Sequence, residues 1–306
     1  MTGIAIRYLK REEVDETRWD ECIFRNANGL IYAQSIYLDT MADNWDALVI
    51  GDYEAVMPLP RRKKWGISYY YKPAFIQQLG IVGEVLPQTY GEIMNHLFRN
   101  IKYGSLQLNY SNTGMSAFGE TASLINMIID LSGDYDTIKS EYAADVRNYS
   151  KKALRERMIY VRSADVGEAI EVFRQHYGKR INSVKENDYS RFTALSVQLM
   201  RGEMAFVRKV VGEDGTLLAV ALFLKDNKRI YNMINASTAM GREKKANYYL
   251  LDEVIREFSG NPLIFDMEGS DLEGVRNFYR KFGGRDQPYF YLHYNHLPWL
   301  PGLLRS

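Results

Sequence analysis

The sequence has a single cysteine, Cys22, in 306 residues, which excludes a disulfide framework and a cysteine-based zinc site. Cys22 stands among helix-forming residues beside Trp19 and Ile23, as a core thiol does. The four histidines, His96, His176, His293 and His296, lack metal-ligand spacing. In the strand-like run from Tyr291 to His296 the two histidines face opposite ways, so no metal site is expected. No Ser-His-Asp or Cys-His pattern points to a covalent nucleophile. Neither sign of charge dominates: 39 Lys and Arg against 38 Asp and Glu leave +1. That balance argues against a surface built throughout for nucleic acid, while local basic patches remain available. No apolar run approaches the ~20 residues of a membrane span. The N-terminus soon turns into Lys10, Arg11, Glu12 and Glu13 without a signal-peptide core. A cytoplasmic protein is expected.

What is present is a globular composition, 46% apolar and 25% charged, in a chain long enough for two domains of ordinary size. Tyrosine is abundant, at 23 residues. Half-buried strand positions account for such rings, and so does a groove lined with hydroxyl-bearing rings.

Hydrophobic periodicity and turn signals set out the elements. In the first half they are a strand at 4–8, helices at 12–26 and 35–41, and a hairpin over 47–59 around Gly51 and Asp52. An aromatic strand at 67–71, a helix at 88–101 and strands at 106–110 and 122–131 follow. A charged helical region at 135–157 bridges to a second half in the same order. That half has a strand at 159–161, helices at 165–180 and 188–201, and a hairpin over 203–225. A strand at 229–236, a helix at 245–258, an acidic strand at 262–268, a helix at 271–283 and an aromatic strand at 288–294 complete it. Ala47 and Ala205, near the openings of the two hairpins, are as far apart in the chain as Tyr90 and Tyr248 of the matching helices. The halves therefore read as copies of one α/β unit, 1–140 and 141–306, each a mixed, mostly antiparallel sheet flanked by helices.

The acidic strand is the most informative segment. Leu263, Ile264 and Phe265 run into Asp266 and Glu268, the chain breaks at Gly269 and Ser270, and an amphipathic helix closed by Gly283 and Gly284 follows. Two residues apart on a strand, the carboxylates share a face. They suit orientation or deprotonation of a nucleophile; equally, they cap the next helix or pair with Arg276, Arg280 or Lys281. A second constellation is the basic run Arg147, Lys151, Lys152, Arg155 and Arg157, with 147, 151 and 155 on one helix face. It reads as a phosphate grip or as a solvated surface. Arg61 to Lys64 at a hairpin turn reads as a solvated loop. Tyr231, Asn232 and Asn235 place polar groups in an otherwise apolar strand, and Gln78 occupies the comparable region of the first half.

Three stretches carry a family resemblance: Met57 to Lys64 with Gln77 to Gly80, Asp145 to Ala153, and Phe265 to Ser270 with Phe278 to Gly284. With the element order, they resemble two tandem units of the GNAT acyltransferase fold, as in the Fem-type (FemAB-like) aminoacyltransferases of the compact, armless kind. The resemblance implies direct acyl or aminoacyl transfer to an amine from aminoacyl-tRNA or acyl-CoA, with no permanently bound cofactor. The acceptor is then a small molecule or cell-wall precursor, and tRNA a partner. Asp266 and Glu268 would be catalytic, with substrate bound by Tyr231, Asn232, Asn235, Ser270, Phe278 and Lys281. Donor phosphates would meet Arg147, Lys151, Lys152, Arg242 and Lys245. In this fold the strand holding Tyr231 to Asn235 splays from its neighbour and offers a backbone N–H to the acyl carbonyl. The usual glycine-rich phosphate turn here reads Met240 to Asn247, with one glycine, Gly241, and the cations Arg242, Lys244 and Lys245. The competing reading is a non-catalytic ligand-binding module; a third is an RNA-associated protein using the basic helix.

Overall fold

The computed structural model describes residues 5–178, 183–269 and 271–297, with the backbone alone at Ser116. The protein divides into two compact units, one running up to Leu124 and resuming at Pro288, the other Ile125–Gln287. Each repeats one plan. In the first, β1 (Ile6–Lys10), β2 (Trp45–Ile50), β3 (Ala55–Lys64) and β4 (Ile67–Tyr70) pair antiparallel in that order. β4 then pairs parallel with β5 (Tyr103–Leu108), which pairs antiparallel with β12 (Arg285–Asn295).

In the second, β7 (Ile159–Ser163), β8 (Ala205–Val211), β9 (Leu217–Lys225) and β10 (Arg229–Ser237) pair antiparallel. β10 pairs parallel with β11 (Ile264–Asp266), and β11 antiparallel with β6 (Glu120–Asp130). Each unit thus includes a strand supplied by the other half of the sequence. The cut expected at 140/141 does not follow the packing, because β6 pairs with β11 and β12 with β5, across the two halves of the sequence.

The helices follow the amphipathic patterns. In the first unit α1 (Glu16–Arg25) starts at Asp15, whose carboxylate accepts from the Arg18 amide at 3.2 Å, and buries Trp19, Cys22 and Ile23. α2 (Ser35–Met41) follows it, and α3 (Tyr90–Asn100) buries Ile93, Met94 and Leu97 against Leu48, Met57 and Leu106 of the sheet. In the second unit β9 is buried along nearly its whole length, the pattern of a strand covered on both faces. α9 (Ala246–Phe258) packs Leu250, Leu251, Val254 and Ile255 into the core with Ala221 and Phe223 of β9. α6 (Val166–Tyr177) and α7 (Glu186–Arg201) pack on β8–β10.

Three expectations are corrected. The charged bridge is two helices, α4 (Tyr135–Ser140) and α5 (Ala144–Arg155), parted at Tyr142, where an apolar ring turns into the core. Residues 60–64 are strand, not loop: β3 runs through Lys64, and a two-residue turn with Trp65 and Gly66 at positive φ closes the hairpin. There Arg61 pairs with the buried Asp46 at 2.7 Å and Arg62 with Asp43 at 2.6 Å. The acidic strand is only three residues long, with consequences for its carboxylates.

Candidate active site

The parallel ladder between β10 and β11 stops where Tyr231 faces Asp266, yet β10 runs on to Ser237. On its other edge β10 carries a bulge: Tyr231 faces Leu224 and Ile234 faces Leu222, so Asn232 and Met233 share one partner position. Bulges re-aim side chains and bend a strand, and here the bend falls where the ladder ends. Beside Asn232 to Asn235, β10 has therefore left its parallel pairing with β11.

Asp266 sits where this ladder ends, fully buried. Its Oδ1 accepts from Asn126 Nδ2 at 2.8 Å and from the Glu268 amide at 3.3 Å, and its Oδ2 accepts from Arg229 Nη1 at 3.0 Å. Arg229, itself 4% exposed, also donates to Gln287 Oε1 at 3.0 Å. Burial pushes the Asp266 carboxyl up, against the pull of Arg229 and of the two hydrogen bonds. The partner is not Arg276, Arg280 or Lys281, and the acid is closed in by its own network. These contacts tie the strand end to Asn126 and Arg229.

Glu268 leaves the strand. Its φ is 50°, in the left-handed region, so the alternation that would set it beside Asp266 ends before it. The residue is half-buried. Burial, then the charge of Asp271, push its carboxyl up to about 8, against the Gly269 amide. Glu268→Gln is accordingly expected to raise the Tm, and by more at pH 9 than at pH 5. The unfolded carboxyl loses its proton near 4.5 and the folded one near 8. Between these values the folded state holds the extra proton, so stability falls as pH rises through that window. Glutamine has no proton to lose, and an equal Tm change at both pH values would refute the burial of this charge.

Tyr279, on α10 (Glu273–Arg280), is a group that sequence reasoning missed. Its hydroxyl accepts from Asn232 Nδ2 at 3.1 Å and is raised by burial and by the charge of Glu268. Asn232 Oδ1 in turn accepts from Asn235 Nδ2 at 3.4 Å, and Asn235 Oδ1 is buried without a partner. A buried carbonyl lacking a donor is costly and marks a place for one. Tyr279, Asn232 and Asn235 thus form one hydrogen-bonded polar group, and Tyr279 feels the charge of Glu268. Asn126 and Arg229 were missed as well. An arginine at the head of an apolar strand was the only signal, and Asn126 gave none.

The other expected residues fall in different places. Tyr231 is fully buried and donates to Asp226 Oδ2 at 2.7 Å, which makes it part of the core rather than a ligand contact. Phe278 packs among Tyr248, Tyr279 and Phe282. Lys281 pairs with Asp145 at 2.6 Å and ties the end of α10 to the start of α5. Ser270 lies outside the described residues. Arg147 donates to the Tyr142 carbonyl, Lys151 is exposed, and Lys152 pairs with Glu156 at 3.4 Å. Lys244 reaches the same Glu156 at 3.6 Å, so the basic face of α5 and the β10–α9 connection are neighbours.

In that connection α8 (Ala239–Glu243) replaces the expected turn. Arg242 donates to the Ser237 carbonyl at 2.7 Å, and exposed Lys245, at φ 61°, starts α9. Lys244 and Lys245 at the start of a 13-residue helix suit a phosphate-bearing donor. Gly241 serves packing instead of a phosphate cradle: a Cβ there would lie 1.8 Å from the Leu218 carbonyl oxygen. Gly241→Ala is expected to cost on the order of 1–3 kcal/mol by overpacking, read as a lower urea midpoint at unchanged slope; an unchanged midpoint would show that β9 yields.

Residues 140–272 match the family model described as "Acetyltransferase (GNAT) domain", and the protein has the tandem GNAT fold. Among solved structures, FemX superposes with a TM-score of 0.68 at 12% identity, covering 94% of this chain and 97% of that one. L-PGS from Bacillus licheniformis gives 0.57 at 13%, covering 94% of each chain. A tandem GNAT protein from the clavulanic acid biosynthesis pathway gives 0.53 at 10%, covering 95% and 98%. At these identities the likeness is one of fold. No curated protein matches by sequence. The domain match supports acyl transfer in general. Among the described residues no helix is long and apolar enough to cross a membrane.

Proposed function

We propose that the protein is an acyltransferase that moves an acyl or aminoacyl group from acyl-CoA or aminoacyl-tRNA directly onto an amine of a small molecule or cell-wall precursor. The observation that carries this reading is Glu268, a carboxyl pushed up to about 8, two residues past the end of the β10–β11 ladder. A base is most effective with a pKa near working pH. The amine nitrogen attacks the acyl carbonyl and gives its proton to Glu268; as the C–O or C–S bond to the donor breaks, Glu268 passes that proton to the leaving oxygen or sulfur. Backbone N–H groups of β10 past Tyr231 face the developing oxyanion. Asn232 and Asn235 orient the acceptor, and Asp266, fixed by Arg229, positions the turn that carries Glu268. Arg147, Lys151, Lys152, Arg242 and Lys245 hold donor phosphates.

Transfer assays with acetyl-CoA and with aminoacyl-tRNA, against a panel of amines, test the proposal. Acyl transfer from either donor supports it. Donor binding without transfer to any amine favours the ligand-binding module. tRNA binding that ignores salt would remove the phosphate role of the basic residues.

A further inference from the structure

The first unit contains a concavity of about 230 Å³, lined by Lys64, Tyr69, Tyr71, Lys72, Tyr103 and Ser105. Tyr70 faces Gly104 across the parallel β4–β5 pair, so Tyr69, Tyr71, Tyr103 and Ser105 come to one side of the sheet. The Tyr70 ring goes to the other side, into the core. A Cβ at Gly104 would lie 2.8 Å from that of Tyr70, so the glycine permits this close approach. The rings of Tyr69 and Tyr103 meet edge to face, 6.4 Å between centroids. Ser105 Oγ lies 2.9 Å from Tyr291 Oη and 3.1 Å from His293 Nδ1, both on β12, which fixes the hydroxyl at the floor.

Charge is distributed unevenly along the hairpin. Arg61 and Arg62 are engaged by Asp46 and Asp43. Lys64, with no acidic partner among the described residues, holds its ammonium 4.7 Å from the centre of the Trp65 ring. None of the lining residues is acidic. Two lysines, a corner of aromatic rings and a fixed hydroxyl make a surface that attracts an anion and accepts a ring. The volume falls below the ~300–1,000 Å³ of drug-sized sites, which leaves room for one ring and one anionic group.

We propose that this concavity is a second ligand site, for a small molecule with one aromatic ring bearing a phosphate or carboxylate. The ring enters the corner of Tyr69 and Tyr103, and the anion faces Lys64 and Lys72. It lies wholly in the unit without acyl-transfer residues, so it stands or falls independently of the proposed activity.

Isothermal titration of the full chain with phenyl phosphate tests it, with benzoate as the carboxylate arm and inorganic phosphate and p-cresol as half-ligands. Phenyl phosphate or benzoate is expected to saturate one site at least about tenfold more tightly than either half-ligand. The variant Lys64→Ala with Lys72→Ala, at two exposed positions, is expected to weaken that binding about tenfold or more. Lys63→Ala, on the same hairpin outside the concavity, is expected to leave it unchanged. Tyr103→Leu, checked for folding by circular dichroism, is expected to narrow the gap between phenyl phosphate and inorganic phosphate. No saturable binding of either ring-bearing anion, equal affinity in the double lysine variant, or an equal loss in Lys63→Ala would overturn the site.

Discussion

Replacing Glu268 by glutamine is expected to lower the rate of acyl transfer by roughly 10²–10⁴-fold, the usual worth of a positioned base. The pH profile carries the sharper expectation. With a carboxyl that titrates near 8, kcat/KM of the native protein should rise about tenfold per unit up to that pH and then level off. The acceptor amine also loses a proton as pH rises, so the sign of the slope alone does not isolate the base. The variant does, because it retains the amine's ionisation and lacks that of Glu268. A Glu268→Gln protein with native rates and an unaltered profile would remove the catalytic assignment. Asp266→Asn should behave differently, since its carboxyl is fully buried against Asn126 and Arg229. Its effect should fall on stability, with the position of the pH inflection retained.

The largest stability effect is expected at Arg229. Removing the guanidinium in Arg229→Met leaves Asp266 buried with its charge uncompensated, a cost of about 3–5 kcal/mol. At 2–4 °C per kcal/mol for a unit of this size, the Tm of the second unit should fall by roughly 6–20 °C. Adding Asp266→Asn removes the stranded charge while leaving an acceptor for Asn126, so the double variant should recover part of the loss. The deficit of the single variant should also shrink toward acid pH. There the buried carboxyl takes up a proton in the folded state, which without Arg229 holds it more tightly than the unfolded chain does. Calorimetry of the two singles and the double closes the cycle. Additive losses would mean that the 3.0 Å contact between the two side chains carries no coupling energy.

Much of this architecture was legible because it rests on local periodicity. The apolar run of β9, the helical spacing in α1, α3 and α9, and the order of elements in each half follow from side-chain patterning within single segments. The matching order of the two halves needed nothing beyond counting. What failed were inferences that needed partners. Arg61 to Lys64, at a hairpin turn, reads as a solvated loop, whereas the structure continues β3 through it. Asp43 and Asp46, far back in the chain, neutralise two of its cations. The boundary at 140 failed because β6 and β12 each pair with a strand of the opposite half.

The sequence by itself determined that the protein has two copies of one α/β unit, and that two carboxylates end a short strand of the second. Only the tertiary structure decided that those carboxylates have different fates. Asp266 meets Asn126 and Arg229, 140 and 37 positions away in the chain, whereas Glu268 turns out of the strand toward Tyr279. Long-range pairing set one acid's environment and a single left-handed φ the other's, and neither is written in the spacing of residues.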